Sequence, residues 1–273
     1  MQAIKSVLVH MDSSAHATKR IQVARQVAET FGADVTVQYC VTPALLRFAT
    51  SLDESGQAVA IMEELDQERR AKAHRLYEAL GAQSPQLRWG ERLGNEPWGF
   101  VQRAFYTDLL VLGQRDPDDA AADDLPPDFL PDLLVGTGRP ALVLPYAGPA
   151  ARVGDTVLIA WKETREAARA VAAALPWLAR ARQVHALAYG DDAGRSLASL
   201  ARYLGRHGVI TNVHAAGPEH GEVGENLLSR AADLGADLLV MGCYGHSRAR
   251  EFVLGGMTRT LLQSMTLPVL MVH

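Results

Sequence analysis

The sequence predicts an α/β protein made of two tandem, doubly wound domains, each built on an open parallel sheet. Three observations carry this. Apolar strands alternate with amphipathic helical runs along the whole 273-residue chain. The alternation occurs twice. Several strands, LLVLG and LLVMG among them, are unbroken apolar runs, as expected where helices cover both faces of a sheet. Strands that alternate with helices join in parallel through right-handed crossovers.

The first copy opens with SVLVHMDSS from Ser6, then a helical run from Ala17 to Phe31. Gly32 stops that helix, and VTVQYCV, Val35 to Val41, is a β-branched strand. The same order returns at Thr156 with TVLIAW, a helical run from Arg165 to Ala179, and the strand QVHALAY. Later matches are closer: Asp108-Leu-Leu-Val-Leu-Gly113 with Asp237-Leu-Leu-Val-Met-Gly242, and Pro140-Ala-Leu-Val-Leu with Pro268-Val-Leu-Met-Val. The offset between copies falls from 150 residues at the start to 129 and 128. The first copy therefore holds about 21 extra residues, assigned to Ser51–Ala82, where Met62, Leu65, Leu76 and Leu80 form a helical stripe. AGPAARVG, Ala147 to Gly154, reads as the linker, so the domains are expected at 1–148 and 152–273.

Hydrophobic residues make up 48% and charged residues 21% of the chain, enough apolar material for a core in each half. A net charge of −4 gives no basic footprint for nucleic acid or an anionic membrane. No run of 18 apolar residues suggests a transmembrane helix. The two cysteines, Cys40 and Cys243, show no C-x-x-C spacing and read as reduced thiols. The opening MQAIKSVLVHMD reads as a strand, not a signal peptide, and the expected location is the cytoplasm.

Ligands of open parallel sheets bind beyond the carboxyl ends of the strands. At one such end the second copy reads LLVMGCYGHSRAREFVLGGMTRTLL, Leu238 to Leu262. Gly242, Gly245, Gly255 and Gly256 would let a ligand approach the backbone. The helix starting at Thr258 would offer free amides to phosphate. Ser247, Thr258 and Arg259 would add hydroxyl and cationic contacts. The same glycines would serve equally well as turns and caps.

This G-x2-G-x9-G pattern, the phrase YGHSR-x-RE-x2-LGG-x-TR and the closing PVLMVH resemble the universal stress protein family through nearly the whole chain, less closely in the first half. The resemblance implies a Rossmann-like fold of the adenine nucleotide alpha hydrolase kind. It also implies ATP or another adenine nucleotide as ligand, with or without magnesium. The last strands PALVLP and PVLMVH would pair about a pseudo-two-fold axis, making an internal dimer-like unit and leaving pairing of whole chains open. Gly242, Gly245, Gly255 and Gly256 would form the phosphate loop, His246 and Ser247 would line it, and Thr258 would contribute from the helix start. Two positions depart from the family pattern. Gly256 stands where Ser or Thr is usual, and Trp161-Lys162-Glu163 stands where a strand-end Asp is usual.

The first half has that acid, Asp12, but its loop is broken. Asp116 replaces the second glycine, Pro126 and Pro127 replace the later ones, and seven aspartates lie between Asp116 and Asp132. This stretch is expected to be a solvated acidic loop that opposes a triphosphate. GTGRPA, Gly136 to Ala141, precedes a strand and reads as a helix stop, not a dinucleotide fingerprint. His214 and His220 near Glu219 and Glu222 read as a loop entering a helix. No nucleophile–base pair stands out. The expected function is a stress-response module sensing an adenine nucleotide, against a nucleotide-free interaction scaffold and a slow ATP hydrolase.

Overall fold

A computed structural model describes residues 4–48, 57–80, 84–92, 98–148, 152–217, 223–245 and 256–273. The first half runs β1 (Ser6–Met11), α1 (Ala17–Phe31), β2 (Asp34–Tyr39), α2 (Ala44–Arg47), α3 (Gln57–Leu80), β3 (Leu87–Trp89), α4 (Trp98–Ala104), β4 (Leu109–Gly113), a 3-10 turn (Ala120–Asp124), α5 (Phe129–Thr137) and β5 (Ala141–Leu144). The second runs β6 (Thr156–Ala160), α6 (Arg165–Leu178), β7 (Gln183–Ala188), α7 (Ala193–Gly205), β8 (Asn212–Ala215), α8 (Val223–Asp233), β9 (Leu238–Gly242), α9 (Met257–Ser264) and β10 (Val269–Val272).

The strands form one ten-stranded sheet in the order β3-β2-β1-β4-β5-β10-β9-β6-β7-β8. Each half has the same internal order, and all pairs are parallel except β5 with β10. In that antiparallel pair Leu142 faces Leu270. These two leucines also correspond to each other in the repeat, so the local two-fold passes between them. The aligned aspartates have a common role. Asp108 Oδ2 accepts from the amides of Lys5 and Ser6 at 2.9 and 3.0 Å. Asp237 accepts from Gly154, Asp155 and Thr156. Each acid thus fixes the start of its half's first strand.

Alternate strand residues feed two cores. One face packs Val7, Val9 and Met11 against α1, α3, α6 and α7. The other packs Leu8, Leu110 and Leu112 against α4, α5, α8 and α9. The halves also meet through α1 and α6. Phe31 stacks edge-on against Trp177 with centroids 5.0 Å apart, and Arg180 donates to the Thr30 carbonyl at 3.2 Å.

The extra segment of the first half carries α3. Its buried residues are Met62, Ala73 and Tyr77, with Leu76 and Leu80 partly buried against the core. Leu65 does not join the stripe and is exposed. Thr137 ends α5, and Gly138 caps it at φ 60°, before β5 begins at Ala141. Both cysteines are buried and neither forms a disulfide. Trp177 is buried, whereas Trp98 is exposed. Among the described residues no helix is long and apolar enough to cross a membrane.

Candidate functional site

Gly242 and Gly245 lie at the carboxyl end of β9. The start of α6 is pressed against it. A Cβ on Gly242 would lie 2.5 Å from the Ala167 amide nitrogen and 2.6 Å from the Glu166 carbonyl carbon. Gly245 sits one turn farther out, where a Cβ would lie 3.0 Å from Glu166 Oε2. Between them Tyr244 takes a left-handed conformation, φ 53°, a rare state for a residue with a Cβ. The Tyr244 amide donates to Thr258 Oγ1 at 3.4 Å, and Thr258 is buried. This bond ties the end of β9 to the first turn of α9, closing the neck of the glycine loop. His246, Ser247 and Gly255 lie outside the described residues.

Gly256 has a structural role that its spacing alone did not reveal. It is the N-cap of α9, with φ −61° and ψ 144°, and no side chain caps the helix. Ser or Thr at an N-cap satisfies one of the orphan amides. Glycine has no side chain to do so.

Glu166 is the residue that sequence reasoning missed. It lies in the first turn of α6, is 3% exposed, and binds Arg165 through Oε1 and Nε. Burial works against its charged form, but hydrogen bonding and attraction from Arg165, with help from Thr164, outweigh it and hold the carboxyl below its ordinary value. A negative charge therefore sits under Gly245. One sequence signal pointed there: Thr164 two residues earlier is a good N-cap, and its side chain accepts from the Ala167 amide. That cap fixes Glu166 in the first turn. At the end of β6, Trp161 donates its indole N–H to Ser196 Oγ at 2.7 Å and packs against the core.

The corresponding end of the first half holds a cleft between β1, β4 and the segment 114–130. Asp12 is its floor. Asp12 Oδ1 accepts from Arg20 Nη2 at 2.5 Å, from Ser14 Oγ at 2.5 Å and from the Ser14 amide at 3.0 Å. Burial alone would raise the Asp12 pKa; Arg20 foremost, then His10 and the Ser14 bonds, bring it well below the carboxylate range. Arg20 Nη1 lies 2.5 Å from where a Cβ on Gly113 would be, so this glycine makes room for the buried guanidinium. Most of the acidic stretch is solvated, as its composition suggests, but Asp124 is buried and Asp116 and Asp119 are half-buried. Asp124 is 2% exposed and pairs with Arg47 and Arg69, and Asp116 Oδ2 is 2.8 Å from His16 Nε2. Asp124 is anchored because arginines from α2 and α3 reach it, and α3 belongs to the extra segment. Among the described residues no group of three or more His, Cys, Asp or Glu is placed to hold a metal ion.

His10 is buried beside Asp12, between the rings of Phe100 and Phe129. Its Nε2 lies 2.8 Å from the Cys40 carbonyl oxygen. A carbonyl only accepts, so Nε2 carries the proton. Burial is the largest influence and lowers the His10 pKa; Asp12 raises it, Arg20 lowers it and the Cys40 carbonyl raises it, leaving it at about 4. The folded value is below the unfolded value near 6.5. The neutral ring thus contributes stability that is full above about pH 6.5. This contribution is lost as pH falls towards about 4, and amounts to about 3 kcal/mol. Urea unfolding at intervals from pH 7.5 to 4.5 is expected to give falling stability in the wild type. His10→Gln, which keeps a donor for Cys40, should flatten the profile. Equal slopes in the two proteins would refute the assignment.

The same strand order recurs in the two halves. Residues 154–273 match the model of the universal stress protein family. No curated protein matches the sequence. Among solved structures, a universal stress protein from Archaeoglobus fulgidus is 16% identical, with a TM-score of 0.71 over 98% of this chain and 95% of its own. A universal stress protein described as putative, from Pseudomonas aeruginosa, is 17% identical with a TM-score of 0.58 over 99% and 93%. A functionally unknown protein from the same species is 16% identical with a TM-score of 0.56 over 99% and 92%. These likenesses establish the fold across both halves. The stretch 154–273 that matches this family model includes Gly242, Gly245, Glu166 and the whole of α9.

Proposed function

We propose that the protein is a tandem universal stress protein, with units at 1–148 and 152–273, that senses an adenine nucleotide through its second unit. ATP with magnesium is the first ligand to test. The observation that carries this reading is the start of α9. The helix begins without a side-chain cap at Gly256, directly after the glycine loop, and is held to the end of β9 by the Tyr244–Thr258 bond. Uncapped amides and the helix dipole favour an anion at that point. Gly242, Gly245, Gly255 and Gly256 would let phosphates reach the backbone, with His246, Ser247 and Thr258 around them. The role is binding, not turnover.

Glu166 sets the condition on this binding. Its carboxylate under Gly245 opposes phosphate, and a divalent cation would reconcile the two charges. Two like charges a few ångströms apart near a protein surface differ by several kcal/mol from a neutralised pair. Calorimetric titration of nucleotide-stripped protein is expected to give about one ATP site per chain with magnesium and weaker binding without it. Glu166→Gln should tighten magnesium-free binding by about tenfold or more. Gly245→Val should abolish binding while the fold survives, because its neighbour is the mobile end of Glu166. Unchanged affinity in Gly245→Val would remove the site from this loop.

The scaffold reading has its own support. Trp161 occupies the end of β6, bonded to Ser196, where the family pattern has its acid. Absence of heat and of thermal stabilisation at millimolar ATP would favour that reading over the sensor.

A further inference from the structure

The cleft of the first half has lost the glycine pattern but kept a concave space open to solvent, and its residues differ from those of the glycine loop. One wall is apolar: Leu112, Leu125, Pro126, Pro127, Phe129 and Leu130. The lining also carries Asp116 and Asp119, whose carboxylates lie 2.8 and 3.8 Å from one imidazole nitrogen, His16 Nε2. The two guanidinium groups of the lining are already committed. Arg20 is bound to Asp12, and Arg115 to Asp123 at 2.9 Å. Two carboxylates share one imidazole, so even a protonated His16 leaves a negative charge over. A second observation is independent of the acids. Arg20 is 3% exposed and lines the cleft, yet its Nε–H has no hydrogen-bond partner. A buried donor left unmatched costs about 1–3 kcal/mol, and a ligand acceptor would recover this.

We propose that this cleft binds a small organic cation of the amino-alcohol kind, with an ammonium group at Asp116 and Asp119, an oxygen acceptor towards Arg20 and an apolar body on the Phe129–Leu130 wall. The acids select against phosphate esters, which separates this site from the nucleotide loop of the other half. The groups are not placed to chelate a metal ion, so the positive charge comes on an organic body that the apolar wall accommodates. Placement of an apolar body in a concave pocket with a few convergent polar groups is how small-molecule sites are built.

The test uses the full chain and three probes of one shape: phenylalaninol, 3-phenylpropan-1-ol and 3-phenylpropanoate. Amide resonances of His16, Gln114 and Phe129 report on the cleft in two-dimensional NMR. Phenylalaninol is expected to shift them saturably, with a dissociation constant of about 1 mM or tighter. The neutral alcohol should bind at least about tenfold more weakly, and the anion not at all. Asp119→Asn and Asp116→Asn should each weaken phenylalaninol about fivefold or more and leave the alcohol unchanged. Two variants are used because each acid also holds backbone, Asp116 accepting from the Asp118 amide and Asp119 from the Ala121 amide; dispersed spectra show that each variant is folded. Three results overturn the proposal: no shift with phenylalaninol at about 10 mM, anion binding equal to or tighter than cation binding, or shifts confined to residues outside the cleft.

Discussion

Arg20→Leu is expected to remove about 3–5 kcal/mol of folding stability, read by urea unfolding at pH 7. Arg20 and Asp12 are both buried, and the guanidinium is the main influence that keeps the carboxyl charged. Taking away one partner leaves the other charge uncompensated in the interior, which costs far more than the pair contributes. The double variant Arg20→Leu/Asp12→Leu should therefore recover much of the loss, a coupling that only a double-mutant cycle reveals. Additive losses in the double variant would show that the pair is not coupled. The pH sign is fixed by the same geometry. Asp12 has a folded pKa below its unfolded one, so its contribution is full above the ordinary carboxylate range and is lost as pH falls through and below that range. In Arg20→Leu the Asp12 pKa should rise, and acid unfolding should start at higher pH than in the wild type.

Gly242→Val is expected to be nearly as severe, at about 3 kcal/mol or more, because the added carbon meets backbone and cannot be accommodated by a rotamer change. Its nearest neighbours would be the Ala167 nitrogen and the Glu166 carbonyl carbon. To make room, α6 would have to lift from the end of β9, dragging Ala170, Val171 and Ala174 out of their core. Gly245→Val is the control, since its first neighbour is a carboxylate at the end of a flexible side chain. Thermal unfolding of the two variants should separate them clearly. Equal melting temperatures would mean that the start of α6 yields more easily than its packing implies.

The fold was legible because its signals were redundant. Strand composition, helical spacing and the internal repeat all agreed, and the Asp-Leu-Leu-Val motif marked the same strand in both halves. The pairing of PALVLP with PVLMVH came from family resemblance, and the register Leu142↔Leu270 agrees with it. The sites were less legible, for reasons of distance along the chain. Glu166 meets Gly245 across 79 residues of sequence, and periodicity carries no information about such a meeting. One part of the acidic segment was misread for the same reason. Seven aspartates look solvated as composition, and most are, but Asp124 is buried because Arg47 and Arg69 come to it from α2 and α3. Gly256 read as a departure from a pattern, and only its place as the N-cap of α9 gives it a physical role.

The self-matched pair Leu142 and Leu270 has a consequence for what the two halves are free to become. Where two separate copies of one polypeptide join edge to edge, every substitution is made twice and both ligand ends change together. Here the same edge joins two stretches of a single chain. The shared ten-stranded sheet keeps them together, while each end is written by its own codons. Proline and aspartate can then accumulate over β4 without touching the glycines over β9. The central seam thus lets one scaffold hold two unlike binding chemistries.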